Sequence, residues 1–381
     1  MNVPPIAIPV KPTVLTEPPT TYVPMLGVKY AEREALRHLP SDVNKRIYPL
    51  LTVRRIRRQT KRIDEKTGLE KISPPPTLEQ HIKDQSDILS GIVQIQTGFF
   101  DDGITRAMLD IEMLDQQQKK STLAYFRKEL SGYAATLIPV FSVRSADAHK
   151  TEIRRWHREY ALGGALRLRP SEDGFPTVGQ LVKLARECGL QPAQVDLIVD
   201  FGGVTPREVS DYVTDASREL PTYLSAPWRT IALGSGAFPA SITRRDFDIQ
   251  HDLVRWDLVT YKRIIYALPP TSRRPIFADY GIFYHKFADG GTRPEPNLRY
   301  TTEHEWRLIR REIEPGMQVI CARIAGESYF RGDQFSKGEE WIAKCSRGDE
   351  SEGDPRRWLQ AGLQQHIAFV ARQMDKRSFV A

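Results

Sequence analysis

The sequence predicts an α/β protein: a (β/α)8 TIM-like barrel followed by a mainly helical accessory lobe. Eight short apolar runs recur at fairly regular intervals along 381 residues, and segments of helical composition separate most of them. Such an alternation indicates βαβ units and a parallel sheet. The eight units occupy about 260 residues, which is the usual size of a closed barrel. An open doubly wound sheet is the alternative, but no GxGxxG motif follows the first run, as its dinucleotide-binding form would require.

The first four predicted strands are short apolar runs of the kind that forms buried strands. They cover 22–28, 47–53, 92–97 and 136–143, and helices are predicted at 30–39, 77–89 and 104–132. Thr77, followed three residues later by Gln80, has the pattern of a capping box at a helix start. The segment 104–132 is predicted to be helical because Met108, Ile111 and Leu114 recur at helical spacings.

The remaining four strands complete the predicted ring. They cover 165–169, 195–201, 230–233 and 275–279, with helices at 150–162, 178–188, 206–220 and 247–268. Gly189 has the position of a C-terminal helix cap, and Pro206 that of a first-turn residue. The last run stands between a basic dipeptide and a Tyr-Gly pair, which marks it as a bounded, buried strand.

Segments outside the barrel flank it on both sides. Residues 1–21 contain six prolines, which block helix and ladder formation, so they predict an extended, mobile arm. Residues 22–285 form the predicted barrel. Residues 286–381 form the predicted lobe, packed on the barrel, with helices at 302–311 and 362–374 and either helix or strand at 317–324.

Composition sets the broad class of the protein. The formal charge of +7 and a pI near 9.2 allow an anionic partner, although ordinary solubility explains the same charge. The three cysteines, Cys188, Cys321 and Cys345, follow no metal-binding spacing and predict reduced thiols in a cytoplasmic protein. No apolar run approaches the roughly 18 residues of a membrane span, so no membrane association is expected.

Candidate catalytic residues lie where predicted strands end, because the C-terminal face of a barrel carries its chemistry. Asp200, Asp279 and Tyr280 have this position. Carboxylates that meet there can hold a divalent cation or act as acid and base. The alternative is that each aspartate caps a loop or pairs with a nearby cation, and no metal-ligand set is predicted.

Cationic side chains near the same face are candidate ligand-binding groups. Lys29 follows the first strand and Glu32 lies one turn into the next helix, and both join the candidate catalytic residues as an anion anchor with its orienting partner. A surface ion pair is the preferred alternative. Arg167 and Arg169 are two residues apart on one strand and therefore point the same way. They bind an anionic ligand or, on the slightly preferred alternative, pair internally with Asp200.

Further candidate ligand contacts lie after the seventh strand and in the lobe. A Gly-Ser-Gly loop can offer backbone N–H groups to a phosphate, although an ordinary turn is the preferred explanation. Arginines in the lobe can complete a pocket if the lobe covers the barrel mouth, or form ion pairs if it packs at the side. The residues concerned are Gly234, Ser235, Gly236, Arg299, Tyr300, Arg331 and Asp333.

A basic run after the second strand is the strongest nucleic-acid signal. Its six cations are Arg54, Arg55, Arg57, Arg58, Lys61 and Arg62. Each can neutralise a phosphate, which gives salt-dependent and sequence-independent affinity. No aromatic residue interleaves them, so the run itself does not predict base stacking. A solvated or partner-binding loop is the alternative.

Several motifs together resemble the beta-protein family, which is named for a bacteriophage protein and also occurs in bacterial genomes. They are YVPMLGVKYAEREAL (22–36), IYPLL (47–51), VDLIVDFG, IALGSGAFP, RPIFADYGI (274–282), NLRYTT (297–302), YFRGDQFSKGEEWIA (329–343) and the Trp358…His366 segment. Lys29 and Glu32 stand in matching places, and the resemblance runs from about residue 22 to residue 374. It implies a link to phage biology or antiphage defence. His366 ranks first among the histidines because it lies in a family-like segment.

These observations lead to one functional hypothesis and one competitor. The hypothesis is a charged pocket at the barrel mouth that binds a phosphate-bearing ligand, nucleic acid or nucleotide, in a phage-related or defence protein. If the protein is an enzyme, metal-assisted phosphodiester hydrolysis with Asp200 and Asp279 around a divalent cation is the first reaction to test. The competitor is a non-catalytic protein that serves as an interaction component of a larger complex.

Overall fold

The fold is taken from a computed structural model, which describes residues 20–56, 60–63, 70–93, 106–114, 116–130, 137–242, 250–286, 297–310 and 316–375. Residues 1–19 of the predicted arm lie outside these ranges. The strands are β1 (Tyr22–Gly27), β2 (Leu50–Thr52), β3 (Thr60–Ile63), β4 (Glu70–Ser73), β5 (Ala107–Asp110), β6 (Leu137–Phe141), β7 (Gly164–Leu168), β8 (Val195–Gly203), β9 (Thr230–Gly236), β10 (Gln250–Val254), β11 (Ile276–Asp279), β12 (Asn297–Thr301) and β13 (Glu305–Arg310).

The helices surround these strands in the order expected of repeated βαβ units. They are α1 (Tyr30–Arg37), α2 (Ser41–Asn44), α3 (Leu78–Val93), α4 (Gln116–Glu129), α5 (Asp147–Tyr160), α6 (Pro170–Asp173), α7 (Val178–Glu187), α8 (Val209–Ser225), α9 (Trp256–Ala267), α10 (Met317–Ala325), α11 (Lys337–Arg347) and α12 (Pro355–Asp375). Among the described residues, none of these helices is long and apolar enough to cross a membrane.

Eight parallel strands close into a barrel, which confirms the predicted fold class. Their order around the ring is β1, β11, β9, β8, β7, β6, β5 and β2. Closure rests on β1, which pairs with β11 on one side and with β2 on the other. Because every barrel strand is parallel, all eight C-terminal ends lie on one face of the ring.

Side chains alternate between the inside and the outside of the wall. The interior holds Val23, Met25, Tyr48, Leu50, Met108, Ile138, Val140, Ala165, Ile198, Ala232, Ala278 and Tyr280. The outward-facing apolar residues form the larger core beneath the helices. Successive residues of one strand therefore serve different cores, and this parity decides which strand-end residues reach the mouth.

The predicted third strand is wrong. Residues 92 and 93 end helix α3, residues 94–97 lie outside the described ranges, and the third barrel strand is β5 inside the predicted helix 104–132. It pairs with β2 and β6. All four residues of β5 are buried, so the strand shows no alternation of buried and exposed positions. The helical spacing of Met108 and Ile111 therefore led to the wrong assignment.

Two predicted helices are also wrong in part. The segment 247–268 divides into β10 and α9, and the predicted helix 302–311 is strand β13. Strands β10, β13 and β12 form an antiparallel sheet beside the barrel. Trp306 and Leu308 are buried in β13 while Arg307 is not, a period of two that indicates a half-buried strand.

Helix α12 lies along this sheet and against the barrel. Its middle residues are buried, and it contacts α1, α11, β12 and β1. The side-chain amide of Gln365 accepts from the Thr301 N–H (2.8 Å) and donates to the Thr301 carbonyl (2.7 Å). These two bonds satisfy backbone groups at the edge of β12 and fix the helix on the strand.

Candidate binding site at the barrel mouth

A cavity of about 1130 Å³ opens at the C-terminal ends of the barrel strands. This is the face at which sites of (β/α)8 barrels are found. Arg55, Glu112, Arg144, Arg169 and Glu172 line it beyond strands β2, β5, β6 and β7. We call this half of the rim the charged side.

The opposite half of the rim follows strands β8, β9 and β11 and carries rings. The rings that line it are Phe201, Tyr212, Phe238, Trp256, Tyr280, Tyr284 and His285. We call this half the aromatic side. The two sets of strands occupy opposite halves of the closed ring, so the arginines face the rings across the mouth. The aromatic side also carries two charged lining residues, Glu208 and Lys286.

The floor of the cavity is a buried polar network around Arg167. Its guanidinium donates to Asp200 Oδ2 through Nε (3.0 Å) and Nη2 (2.7 Å), and it also donates to Asp110 and to the Tyr280 hydroxyl. The Tyr280 hydroxyl in turn donates to Asp200 (2.7 Å). Arg167, Asp200 and Asp110 are all nearly inaccessible to solvent, so their charges are compensated within the protein.

The network decides the ionisation of its members. Burial acts to raise the pKa of Asp200 and of Asp110, but the attraction of Arg167 and Arg169 outweighs it and lowers both pKa values. Burial raises the pKa of Tyr280, and the neighbouring Asp200 raises it further. The two carboxylates are therefore ionised and the phenol is protonated over the ordinary pH range.

Arg169 connects this floor with the open cavity. Its side chain is 16% exposed, donates to Glu112 (2.7 Å), and lies 3.7 Å from both Asp110 and Asp200. The floor thus holds two guanidinium groups and three carboxylates. The internal pairing of Arg167 with Asp200, which the sequence offers as an alternative, is present, and the floor carries no excess positive charge.

Positive charge is available higher on the charged side. Arg55 and Arg144 are exposed side chains that line the cavity. Arg144 forms ion pairs with Glu172 and with Asp173. The pair with Glu172 is exposed on both sides, and such a pair is weak and can be exchanged for a ligand at little cost, whereas the Asp173 side chain is buried.

The rings on the aromatic side are held by packing against glycines. Gly202 has φ +69°, and a Cβ at Gly203 would stand 2.4 Å from His285 Cε1. A Cβ at Gly236 would stand 2.8 Å from Tyr280 Cδ2 and 3.2 Å from His285 Cβ. The backbone conformation favours glycine at position 202, and a Cβ at Gly203 or Gly236 would displace the imidazole or the phenol.

Asp279 does not join this site. It follows Ala278 and precedes Tyr280, both of which face the interior, so its side chain leaves the barrel on the outer face. There it accepts from the Tyr22 hydroxyl (2.5 Å) and the Gly281 N–H (2.8 Å), and it contacts His366 Nε2 at 3.1 Å. The expectation that Asp200 and Asp279 converge around a cation is wrong for this geometry.

The outer network is closed to solvent and ties α12 to the wall. His366 Nδ1 lies 2.8 Å from the Thr301 hydroxyl, and Arg255 Nη2 lies 3.8 Å from Asp279 Oδ2. Burial lowers the pKa of His366, so its imidazole is neutral at pH 7. Burial opposes ionisation of Asp279, but His366, Arg255 and the Tyr22 hydroxyl keep its pKa below the usual value.

Lys29 and Glu32 lie outside the cavity lining. Lys29 Nζ is 3.9 Å from Glu32 and 5.7 Å from the centre of the Phe283 ring. Glu32 is fully buried, and burial raises its pKa. The predicted gathering of Lys29, Arg167, Asp200 and Asp279 therefore holds for Arg167 with Asp200, whereas Lys29 and Asp279 lie elsewhere.

The predicted glycine loop is part of a strand. Gly234 and Gly236 lie within β9, where Gly234 pairs with Asp200 and Ala278 while Ser235 pairs with Asp279. The sequence placed these residues in a loop that could present N–H groups to a phosphate. In the structure Gly236 lines the cavity from the strand end.

Of the four lobe residues predicted to contact a ligand, three bond to or stack on other parts of the protein. Arg299 donates to the Ile282 carbonyl (2.6 Å) and stacks on Phe238 at 4.5 Å. Tyr300 donates to Glu339 (2.6 Å), and Arg331 stacks on Phe369 at 4.0 Å. Asp333 is exposed. None of these four lines the cavity, although Arg299 supports Phe238, which does.

The basic run is described in part. Arg54 follows β2, Arg55 lines the cavity, and Lys61 and Arg62 belong to β3 of the β3–β4 hairpin. Arg57 and Arg58 lie outside the described residues. The run leaves β2 at the C-terminal face, as its position after a strand predicts.

The sequence analysis named none of the rings on the aromatic side except Tyr280, and on the charged side it missed Glu112, Arg144 and Glu172. Two cases are instructive. Asp110 was hidden because its strand was assigned to a helix. His285 follows β11 by six residues, and only its position beyond a strand end could have signalled it. Within the ranges that the structure describes, no group of three or more His, Cys, Asp or Glu side chains could hold a metal ion.

Comparison with known proteins gives one finding. The model of a protein family described as Beta protein matches residues 22–372 of the chain, which is nearly its whole length. None of the curated proteins compared with the chain matches it.

Proposed function

The chain belongs to the Beta protein family, and we propose that its barrel mouth binds a phosphate-bearing ligand of the nucleic-acid or nucleotide class. Family membership suggests a phage-related protein. A role in antiphage defence is part of the proposal.

One observation carries the proposal: Arg55, a member of the basic run, lines the same cavity as the half-buried rings of Tyr212, Tyr284 and His285. A nucleotide has an anionic part and a flat aromatic part. Guanidinium groups suit the phosphate, and ring faces suit the base. The charged side supplies the guanidinium groups and the aromatic side supplies the rings.

The phosphate would contact the rim and not the floor. Arg167 and Arg169 are already compensated by Asp110, Asp200 and Glu112. Arg55 and Arg144 are exposed, and the Glu172 partner of Arg144 is exposed as well. A phosphate can therefore replace an exposed carboxylate at Arg144 without leaving a buried charge uncompensated.

Binding is proposed, and hydrolysis by Asp200 and Asp279 around a cation is not. These two carboxylates project from opposite faces of the wall, Asp200 toward Arg167 and Asp279 toward His366. They cannot approach a common ion without a register change of one strand, which would turn every inward-facing side chain of that strand outward.

The test is a titration of labelled oligonucleotide by fluorescence anisotropy between about 50 and 200 mM salt. We expect affinity that falls steeply with salt, and a salt slope reduced by about 1 in Arg55→Gln. Arg218→Gln is the matched control, because Arg218 is an exposed arginine of α8 with ordinary ion pairs. Weak binding that is independent of salt would overturn the proposal and leave the interaction-component hypothesis.

A further inference from the structure

We propose that the aromatic side of the mouth takes up one unstacked base of a single-stranded nucleic acid and holds it against His285 and Tyr284. This inference rests on the proposed function, since it names the form of nucleic acid that the same site accepts.

The rings on this side have accessible surface to offer. Tyr212, Trp256, Tyr284 and His285 line the cavity and are only partly buried, whereas Phe201 and Phe238 beneath them are buried. Tyr284 and His285 lie with their ring centres 4.2 Å apart at 63°. An edge-to-face pair of this kind forms a corner in which a third flat ring can stack on one member and meet the edge of the other.

A base can use such a corner only when it is unpaired. In a duplex both faces of every base are covered by its neighbours, and only base edges are open in the grooves. Proteins that bind single strands stack successive bases on aromatic side chains and follow the backbone with cations. The mouth has both elements, with rings after β8, β9 and β11 and with Arg55 and Arg144 on the other half of the rim.

The position of the His285 imidazole depends on two glycines, which leave room for the ring because they have no side chain. His285 lies over Gly203 and Gly236, where a Cβ at Gly203 would stand 2.4 Å from its Cε1. Its Nδ1 has no hydrogen-bond partner among the described residues. Among the described residues, packing on Gly203 and Gly236 holds this ring, so one methyl group at Gly203 is enough to disturb it.

The neighbouring ring of Tyr212 is held by stacking and by a hydrogen bond. Tyr212 stacks on Phe201 with ring centres 5.0 Å apart and donates its hydroxyl to the Gly203 carbonyl at 3.1 Å. The same glycine thus carries His285 above it and anchors Tyr212 beside it. A fixed ring pays little conformational entropy on binding, which favours its use as a stacking surface.

The imidazole contributes its face and not its charge. Burial lowers the pKa of His285, so the ring is neutral at pH 7. Its removal should weaken binding of a base at every salt concentration without changing the salt slope. Arg55 should behave in the opposite way, because a phosphate contact is visible in the slope.

The experiment compares four probes on the full chain: a labelled oligothymidylate, an abasic oligomer with the same number of phosphates, a duplex of the same length, and thymidine monophosphate. We expect the oligothymidylate to bind about tenfold or more tighter than the abasic oligomer, because stacking of one base has this magnitude. The duplex should bind no better than the abasic oligomer, and the mononucleotide should bind most weakly because it has a single phosphate.

Two variants locate the effect. His285→Ala and Gly203→Ala should lose the difference between the oligothymidylate and the abasic oligomer while keeping the salt slope of the wild type. His38→Ala and Gly179→Ala are the matched controls, because His38 is exposed and a Cβ at Gly179 meets only the Thr177 hydroxyl at 3.8 Å. If Gly203→Ala fails to fold, His285→Ala and the abasic oligomer still decide the question.

The outcomes separate the two proposals. Equal affinity for the abasic oligomer and the oligothymidylate, or equal affinity for duplex and single strand, would overturn uptake of a base and leave phosphate binding at the rim intact. Tight binding of the mononucleotide alone would replace the single strand by a free nucleotide. Absence of salt-dependent binding to every probe would overturn the proposed function itself.

Discussion

Asp200 lies near the end of β8 and Asp279 ends β11, and both are buried, yet they belong to different networks. Asp200 faces inward to Arg167 and Tyr280 beneath the open mouth. Asp279 faces outward to Tyr22 and His366 beneath helix α12. The register explains the difference, because Asp200 pairs with Gly234 and Asp279 pairs with the next residue, Ser235.

The two networks also differ in charge balance. The inner one has two guanidinium groups, from Arg167 and Arg169, and lowers the pKa of its aspartates. The outer one has one guanidinium, from Arg255, next to two aspartates, and burial raises the pKa of Asp257 to about 7. A shift of one position along the strand therefore decides the surroundings of an aspartate. In one position it faces the cavity, and in the next it joins the barrel wall to helix α12.

Removal of the inner arginine should have the largest effect on stability. Arg167→Met leaves Asp110 and Asp200 buried without their main compensating charge, so we expect a loss of about 3–5 kcal/mol in the free energy of unfolding. Urea denaturation measures it, and Arg218→Met, at an exposed position, should change stability by no more than about 0.5 kcal/mol. A loss below about 1 kcal/mol for Arg167→Met would contradict the compensated network.

The two aspartates should respond differently to the same substitution. Asp279→Asn weakens the bonds to Tyr22 and His366 and should cost about 1–3 kcal/mol in stability while oligonucleotide affinity stays within about twofold. Asp200→Asn removes a negative charge from the floor and should raise oligonucleotide affinity through the stronger positive field. Anisotropy titrations of both variants decide it; equal effects on binding would show that the networks are not separate.

The outer network should give stability a dependence on pH. Because the pKa of Asp257 is about 7 in the folded state and about 4 when unfolded, its contribution is present below the unfolded value and is lost as pH rises through 7. Asp257→Asn should therefore gain about 1–3 kcal/mol relative to wild type between about pH 5 and pH 8. Paired urea denaturations at the two pH values measure this gain.

The control for that experiment is Asp211→Asn, an exposed aspartate in the first turn of α8. Its difference from wild type should be the same at both pH values. If Asp257→Asn and Asp211→Asn behave alike, the raised pKa of Asp257 makes no contribution to stability. The depressed pKa values of Asp110, Asp200 and Asp279 act in the opposite sense, and their contribution is lost only as pH falls below about 4.

The sequence predicted the barrel because its strands are apolar on both faces and regularly spaced. The same property made it impossible to tell which residues of each strand face inward, because a strand that is buried on both sides shows no alternation of apolar and polar residues. Asp279 and Tyr280 are adjacent, and only one of them can face inward. The sequence grouped both with Asp200, whereas the structure puts only Tyr280 there.

The aromatic side of the mouth could not be predicted for a different reason. Tyr212, Trp256 and His285 come from a helix, a helix start and a loop that are distant in sequence. The closed ring alone brings them together. Arg55, by contrast, was found from local charge, because six cations in nine residues remain visible without any knowledge of the fold.

The smallest expected effect concerns the ion pair that the sequence offered as an anion anchor. Lys29 is 28% exposed and lies 3.9 Å from Glu32, and neither residue lines the cavity. Lys29→Met should therefore change oligonucleotide affinity by less than about twofold. A tenfold loss of affinity, measured beside Arg55→Gln under the same salt conditions, would extend the binding site past the charged side to β1. Equal and small losses for Lys29→Met and for the exposed control Arg218→Met would confine it to the mouth.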